Sequence, residues 1–474
     1  MSYCRIDVVA VVEGQPAGWA VELRHRDTAI AGHAMRALGK YPAPAQGGLA
    51  TAEAITQTLE ALRNDTAAVD DVHALGEHLY ASLLAPAWPE LEPVLARFTL
   101  VEIALALAHD DTAVLAALPW ELMRANGGFL AAGLVIGGRL VDIAITRRVP
   151  RRAAIYPGLV QPLRYLFALG TELGDEVRAG AESLGLLRQI APAVRDRIVQ
   201  RQSLDALSRE VTAFDPHVVH LICHGRDVGF GGVELEMWND DTGSAEYVNA
   251  MELTDRLVRP HELGIERAPT LVILSTCSSG QRLQAATSTD IATALVMRGV
   301  PMVVGMSAEI RDLACRLFTR RLGTAIVDRT PLLAAAVAGR RAALRSAQLS
   351  VDSFDWGMIQ LVIGTDVDAM LGVQTCQPDS DEDKVLRWLR SSGLPIDLDP
   401  RTRRHPPLCG ATEVIEGFAE LMSSQTLAAL VLHARPPKPE GSRWREGNGL
   451  EAGSGESLFT KRREAPSETL RRHH

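Results

Sequence analysis

Cysteine is scarce in this sequence. The chain has 474 residues and six cysteines, and no Cys-x-x-Cys pair occurs. Cysteine this sparse excludes a disulfide framework and argues against a structural zinc site. The cysteines are therefore expected to be reduced, and we predict a cytoplasmic protein with no bound metal.

Excess basic charge and long apolar runs are missing as well. The net charge is −9, so the chain lacks the positive surface that phosphate binding needs, and nucleic acid is not expected as a direct partner. The longest apolar stretch, 127–138, contains glycines and is too short to span a bilayer, so no membrane association is expected. The N-terminal segment carries a single Arg and no small-residue cleavage site, which favours a first strand over a signal peptide.

What the chain does contain is the composition of a globular protein, with 47% hydrophobic and 23% charged residues. Short apolar runs alternate with segments of helical spacing, which indicates a parallel sheet covered on both faces. We therefore predict an α/β fold with a mainly parallel sheet and helices on both faces, preceded by a mixed α/β N-terminal half. The predicted strands of the second half are 163–169, 196–201, 218–223, 271–277, 301–306 and 359–363, and its predicted helices are 177–190, 204–214, 290–298, 311–326 and 331–346.

The N-terminal half mixes both patterns. Its predicted strands are 6–13, 19–25, 99–107 and 139–147, and its predicted helices are 51–63 and 72–84. Trp120 and Glu121 are expected to serve the core and a helix start. The arginine clusters at 147–152 and 340–345 are expected on a solvated surface.

Changes in composition suggest four regions. Residues 1–150 form the N-terminal α/β region, which either repeats the fold of the second domain or extends its sheet. Residues 151–372 form the second domain, and 373–434 an acidic linker with a small helix and strand. Residues 435–474 hold too few apolar side chains to offset chain entropy, and we predict that they are disordered.

Two predicted strands end in side chains that can do chemistry. The run 218–223 leads into His224 and Gly225, and the run 271–276 leads into Cys277, which is followed by Ser-Ser-Gly. Catalytic groups gather beyond the carboxyl ends of parallel strands. If the two strands are neighbours, the imidazole and the thiol face one crevice.

A thiol beside an imidazole is a nucleophile beside its base. The imidazolium stabilises the thiolate and later protonates the leaving amine. The N–H groups of Gly225 and Cys277 are the candidate donors to the oxyanion. The remaining cysteines, Cys4, Cys223, Cys315, Cys376 and Cys409, are interpreted as structural, because free cysteine is among the most buried residue types.

The segments HLICHGRD (220–227) and LSTCSSG (274–280) resemble the two signature segments of the CHAT domain. This family is a bacterial branch of the caspase and separase superfamily of cysteine proteases. LPWELM (118–123), RGVPMVVGM (298–306) and FDWGMIQLVIG (354–364) are similar to further segments of that family, and the resemblance covers roughly residues 95–365.

The resemblance implies a caspase-like fold and peptide-bond hydrolysis through a thioester, with His224 as general base, Cys277 as nucleophile and no cofactor. In separase-like relatives an acidic residue after the strand that follows the nucleophile helix selects Arg or Lys. Asp312 falls on that position here, and Glu309 lies close by, so both are candidate substrate-binding residues. Arg311 beside Asp312 and the sequence Ser-Ala-Glu at 307–309 depart from the family pattern. The alternative for Asp312 is a helix cap.

The sequence leaves two functions open. The first is an endopeptidase that cuts a protein or peptide substrate. For this function the family resemblance implies a role in bacterial defence or signalling. The second is a caspase-like regulatory or interaction module that is catalytically silent or switched on by a regulatory protein partner. A glutamine amidotransferase fits less well, because Ser275 and Thr276 stand where that class has the glycine of a nucleophile elbow.

Overall fold

The computed structural model describes residues 2–11, 18–38, 41–42, 51–64, 66–106, 115–116, 118–170, 179–190, 193–227, 233–260, 266–276, 288–307, 312–350 and 353–373. Cys277 and Glu309 lie outside these ranges. So do residues 374–474, with the predicted linker and tail among them.

The described strands and helices follow the predicted alternation through the second half of the chain. The strands are β1 (Tyr3–Val11), β2 (Gly18–His25), β3 (Thr28–Leu38), β4 (Tyr41–Pro42), β5 (Leu100–Ala106), β6 (Arg124–Ala125), β7 (Gly128–Phe129), β8 (Leu134–Ile136), β9 (Arg139–Val149), β10 (Ala154–Ile155), β11 (Leu163–Leu169), β12 (Val194–Val199), β13 (Val218–Cys223), β14 (Gly225–Asp227), β15 (Val233–Asn239), β16 (Ser244–Asn249), β17 (Arg259–Pro260), β18 (Glu266–Arg267), β19 (Leu271–Thr276), β20 (Met302–Met306) and β21 (Ile359–Gly364). The helices are α1 (Ala52–Arg63), α2 (Val69–Leu83), α3 (Trp88–Leu95), α4 (Ala179–Ile190), α5 (Leu204–Phe214), α6 (Ala250–Leu257), α7 (Ser288–Arg298), α8 (Asp312–Val327) and α9 (Leu332–Ser350), with short 3₁₀ turns at Ala85–Ala87, Trp120–Leu122, Leu130–Ala132 and Asp355–Met358.

One large sheet organises the described part of the chain. Its strand order is β12-β11-β13-β19-β20-β21-β9-β5-β1-β2-β3-β4, with β8 paired to β9. The first five strands in this order, β12, β11, β13, β19 and β20, run parallel to one another. Strand β21 is antiparallel to β20 and parallel to β9, and β9, β5 and β1 continue in parallel. The predicted mainly parallel α/β sheet is confirmed.

Two apolar cores lie on opposite faces of this sheet. Leu207 of α5, Leu253 of α6 and Ile291 of α7 belong to one core. Helices α4, α8 and α9 contribute to the other, for example through Leu186 and Phe318. Strands that are buried on both faces need continuous apolar runs, which is why β13 and β20 contain few polar residues.

Capping residues set where several helices begin. The Ser203 side chain accepts a hydrogen bond from the N–H of Ala206 at the start of α5. Asn249 and Glu252 form a capping box at the start of α6. None of the described helices is both long and apolar enough to cross a membrane.

A three-stranded antiparallel sheet follows β13. It consists of β14, β15 and β16 in that order, and the turn between β15 and β16 spans 240–243. The Asp240-Asp241 segment is therefore the tip of a hairpin. Because β14 begins at Gly225, this three-stranded sheet starts directly after His224.

Two members of the first arginine cluster, Arg147 and Arg148, are buried, so the expectation that the cluster is solvated was wrong for them, whereas Arg152 is exposed. The Arg148 guanidinium donates two hydrogen bonds of 2.8 Å to the Glu102 carboxylate, and it also donates to the carbonyl oxygens of Gly364 and Val367 at 2.8 and 2.9 Å. Burial alone would raise the pKa of Glu102, but the hydrogen bonds and positive charge of Arg148 outweigh burial and lower that pKa. The arginine thereby ties β5 and β9 to the end of β21.

A second buried pair lies nearby. Arg147 donates to both oxygens of Glu121, and Arg340 of the second predicted surface cluster is also buried, 3.7 Å from Glu121. Trp120 is buried as predicted. Glu121 lies in the core as a partner for these arginines, because a buried carboxylate needs compensating charge.

His217 joins the starts of β11 and β13 and is predicted to make stability depend on pH. Its Nδ1 accepts a hydrogen bond of 2.9 Å from the N–H of Arg164. Burial and the charge of Arg164 lower the pKa of His217 to about 3. An unfolded histidine has a pKa of about 6.5, so protonation favours the unfolded chain. Stability is therefore full above about pH 6.5 and falls as the pH drops toward about 3.

The measurement is the urea midpoint between pH 8 and pH 5 for the wild type and His217→Asn, which keeps an acceptor near Nδ1. At pH 8 histidine is neutral in the unfolded chain as well, so the difference in urea midpoint between the wild type and His217→Asn then reports only the change in packing and hydrogen bonding. We expect the wild type to lose more stability than the variant between pH 6.5 and pH 5. Equal slopes in that range would contradict the assignment.

Gly170 is predicted to tolerate no side chain. It follows β11, and its N–H donates to the carbonyl of Ile222 at 3.0 Å. An added Cβ would lie 2.5 Å from the carbonyl oxygen of Glu236 and 2.8 Å from the Cβ of Cys223. We expect Gly170→Ala to lower the free energy of unfolding by about 1–3 kcal/mol. The control is Gly158→Ala, because nothing lies within 4 Å of a Cβ there. Equal urea denaturation curves for the two variants would refute this.

Candidate functional site

The candidate site begins with the pairing of two strands. β13 and β19 are adjacent and parallel, and their register pairs Cys223 with Thr276. His224 directly follows Cys223, and Cys277 directly follows Thr276. The two positions that directly precede the predicted catalytic residues, Cys223 and Thr276, are therefore paired at the same edge of the sheet.

His224 lies where the chain leaves the parallel sheet. Its side chain is half-buried, and its carbonyl oxygen accepts a hydrogen bond of 2.8 Å from the N–H of Glu236. Gly225, the predicted oxyanion donor, pairs with Leu235 as the first residue of β14. Strands β14 and β15 therefore hold the backbone at His224 and directly after it.

The other predicted site residues fall where the structure describes little or nothing. Cys277, with the N–H assigned to the oxyanion, and Glu309 are outside the described residues. Asp312 is the first residue of α8, and its side chain is not described. These roles stay predictions.

A buried polar cluster lies beneath the strand ends, and the sequence analysis missed it. The Ser275 hydroxyl is at its centre, 2.7 Å from Nε2 of His220, 3.0 Å from Oε1 of Glu182 and 3.2 Å from Sγ of Cys315. Nε2 of His220 is also 3.1 Å from Oε1 of Glu182, and Nδ1 of His220 lies 3.4 Å from the hydroxyl of Tyr165. We refer to these five residues as the Ser275 cluster. All five are buried.

The carboxylate of the cluster is ionised. Burial alone would raise the pKa of Glu182, but hydrogen bonds from His220, Ser275 and Thr319 outweigh burial and lower that pKa. Burial, followed by the charges of Glu182 and Cys315, raises the pKa of Tyr165 well above its usual range, so that this phenol stays protonated. The cluster therefore buries one negative charge surrounded by donors.

Two signals in the sequence could have found this cluster. His220 interrupts the apolar run of β13, and Ser275 interrupts that of β19. Both lie an even number of residues before His224 and Cys277, respectively, and alternation along a strand places such residues on one face. Cys315 was expected to be structural, and its burial agrees with that. Among the described residues, no group of three or more His, Cys, Asp or Glu side chains is arranged to hold a metal ion.

Comparison with solved structures gives distant similarities. The chain superposes on the Arg-specific cysteine proteinase gingipain R with a TM-score of 0.37 and 10% identity, covering 69% of this chain and 76% of that one. For the complex of the pro- and mature domains of Porphyromonas gingivalis RgpB the TM-score is 0.35 and the identity 10%, covering 68% of this chain and 77% of that one. For the Saccharomyces cerevisiae separase in complex with securin the TM-score is 0.32 and the identity 16%, covering 62% of this chain and 18% of that one. Similarities of this size carry no inference about activity.

No protein of curated function matches the sequence. The model of the CHAT domain family matches residues 73–365, which is more than half of the chain. This match includes β5, β9 and every strand from β11 to β21, with both strands of the candidate site. The chain therefore belongs to the CHAT domain family.

Proposed function

We propose that the protein is a cysteine endopeptidase in which His224 is the general base and Cys277 the nucleophile. The observation that carries this proposal is the parallel register in which Cys223 pairs with Thr276. A dyad needs its two groups within hydrogen-bond reach. Residues that follow paired positions on adjacent parallel strands start from neighbouring points.

Side-chain alternation supports the same pairing. Val218 and Ile222 of β13 face one core together with Leu271 and Ile273 of β19. Leu221 and its neighbours on alternate positions face the other core. If the alternation of the strands were continued by one residue, positions 224 and 277 would fall on one face of the sheet, the face that also carries His220 and Ser275.

The chemistry follows from these roles. The Cys277 thiolate attacks the carbonyl carbon of the scissile peptide, and the C–N bond breaks as the His224 imidazolium donates its proton to the leaving amine. Water, deprotonated by His224, then attacks the thioester and releases the thiol and the carboxylic acid. The N–H groups of Gly225 and Cys277 would bind the oxyanion. No cofactor takes part in this scheme.

For the substrate we propose a polypeptide with Arg or Lys on the acyl side of the cleaved bond. A carboxylate at position 312, aided by Glu309, would bind a guanidinium with charge-assisted hydrogen bonds. A role in bacterial defence or signalling, in the cytoplasm and under control of a protein partner, is the biological setting that the family resemblance suggests.

Cleavage of peptide libraries by the purified chain tests the dyad. We expect Cys277→Ala and His224→Asn each to lower kcat/KM by about 10³-fold or more, because the nucleophile and its base act as a unit. The control is Cys4→Ala, which removes a buried thiol from β1. If the wild type and Cys277→Ala cleave equally, the endopeptidase proposal fails. If the wild type cleaves only after a partner is added and Cys277→Ala does not, the gated form of the same enzyme is supported.

Comparison of Arg and Leu at the cleavage position tests the role of Asp312. We expect Asp312→Asn to lower kcat/KM about tenfold or more for Arg peptides, since a hydrogen bond to a charged group is worth about 1.5–3 kcal/mol, and to leave Leu peptides nearly unchanged. Asp328→Asn is the control, because Asp328 is exposed just after the far end of α8. An equal loss for both peptides would instead indicate that Asp312 only caps the helix.

A further inference from the structure

The Ser275 cluster has no role in the catalytic scheme above, although it is built into both strands that carry the dyad. Ser275 is two residues before Cys277, and His220 is four residues before His224. Glu182 comes from α4, Cys315 from α8 and Tyr165 from β11. Five elements that are distant in sequence therefore meet at one hydroxyl group and the groups around it.

The hydrogen bonds of the cluster form one consistent set. Because the Glu182 carboxylate is ionised, it can only accept, so the Ser275 hydroxyl donates to it. Nε2–H of His220 then donates to Ser275 and Glu182, and the Cys315 thiol donates to the Ser275 oxygen. This leaves Nδ1 of His220 to accept from the Tyr165 hydroxyl. Ser275 is thus held from three sides, by Glu182, His220 and Cys315.

Packing alone does not require these polar groups. The neighbouring positions of β13 and β19 that face the same core are apolar, with Ile222 and Ile273 among them. Burying a carboxylate costs more free energy than burying an apolar side chain of similar size. A polar cluster in the last residues of the two strands that precede the proposed dyad therefore indicates a role other than packing.

The position of the cluster indicates what that function is. It crosslinks β13 to β19 at the edge where the dyad follows, and through Cys315 it reaches α8. Cys315 is three residues after Asp312, about one helical turn. The Ser275 hydroxyl thus connects β19 by hydrogen bonds to His220 of β13 and to Cys315 of α8. These are the strands that precede the proposed nucleophile and base, and the helix that begins at the proposed substrate contact.

We infer that Ser275, held by Glu182 and His220, is a positioning residue that orients Cys277 toward His224. The inference rests on the proposed function for the identity of the nucleophile. Ser275 does not touch the substrate. It acts by fixing the end of β19, so its loss lets the Cys277 thiol leave the orientation in which the imidazole stabilises the thiolate.

The experiment compares Ser275→Ala with the wild type in two readouts. The first is the pH profile of Cys277 alkylation by iodoacetamide, followed by mass spectrometry of the tryptic peptide 268–282, in which Cys277 is the only cysteine. The second is the division of any kinetic loss between kcat and KM. We expect alkylation of Cys277 in the wild type well below the pH of a free thiol, whose pKa is about 8.5, and a shift toward that value in Ser275→Ala. We expect kcat to fall about tenfold or more with KM unchanged, because small misplacements of a reacting group are costly.

Thr146→Val is the matched control. Thr146 also donates a buried hydrogen bond to a carboxylate, that of Glu102, at 2.5 Å, in the part of the sheet formed by β5 and β9. Both variants remove one hydroxyl from a buried carboxylate, so both are expected to lower the thermal midpoint to a similar extent. Only Ser275→Ala should move the alkylation profile and kcat. If the two variants lose stability equally and neither moves the profile, the cluster is structural and the inference is wrong.

A second variant and the alkylation readout cover the cases in which Ser275→Ala does not fold or the wild type cleaves no peptide. If Ser275→Ala does not fold, Glu182→Gln takes its place, since it removes the charge that orients Ser275 and keeps the side-chain volume. Its alkylation profile should shift in the same direction, and an unchanged profile would overturn the inference. Failure of the proposed function looks different, because a wild type that cleaves no peptide still reports on positioning through alkylation of Cys277.

Discussion

The proposed function depends on one constraint, the parallel register between β13 and β19. Adjacent parallel strands end at the same edge of a sheet, so residues that follow paired positions start side by side. A slip of one residue in either strand would turn its side chains to the opposite face. The pairing of Cys223 with Thr276 is therefore what the proposed joint action of His224 and Cys277 on one substrate requires. The apolar residues on both faces of both strands hold this register, because a slip would exchange the contents of the two cores.

Buried charge is the second theme of this fold, and it recurs in three places. Glu102 is held by Arg148, Glu121 by Arg147, and Glu182 by His220 and Ser275. A buried carboxylate without donors would be costly, and each of these has several. The first two pairs tie the N-terminal strands to β21 and α9. The third lies between the ends of β13 and β19. Each pair restricts how the elements around it can pack, which apolar contacts alone do less strictly.

The sequence predicted much of this arrangement, and what it missed has a common cause. Continuous apolar runs identified β11, β13, β19 and β20, because parallel strands buried on both faces leave a strong local pattern. Strand β3 was missed, since its alternation is carried by small residues and a histidine rather than by large apolar side chains. The buried state of Arg148 depends on Glu102, 46 positions away, and the role of Ser275 depends on Glu182, 93 positions away. A pattern read within one segment cannot contain partners at such distances.

The two predicted catalytic residues are constrained in different ways. On the side of His224, the three-stranded sheet holds the backbone through the hydrogen bond from Glu236. On the side of Cys277, the constraint comes from within the core, where Ser275 is bound to groups from two helices and a neighbouring strand. Both constraints are hydrogen bonds with a directional geometry, but the bond from Glu236 lies after β13, whereas those of the Ser275 cluster lie before the ends of both β13 and β19. Under the proposed function, the base is therefore held from both sides along the chain, and the described constraint on the nucleophile comes from the strand that precedes it.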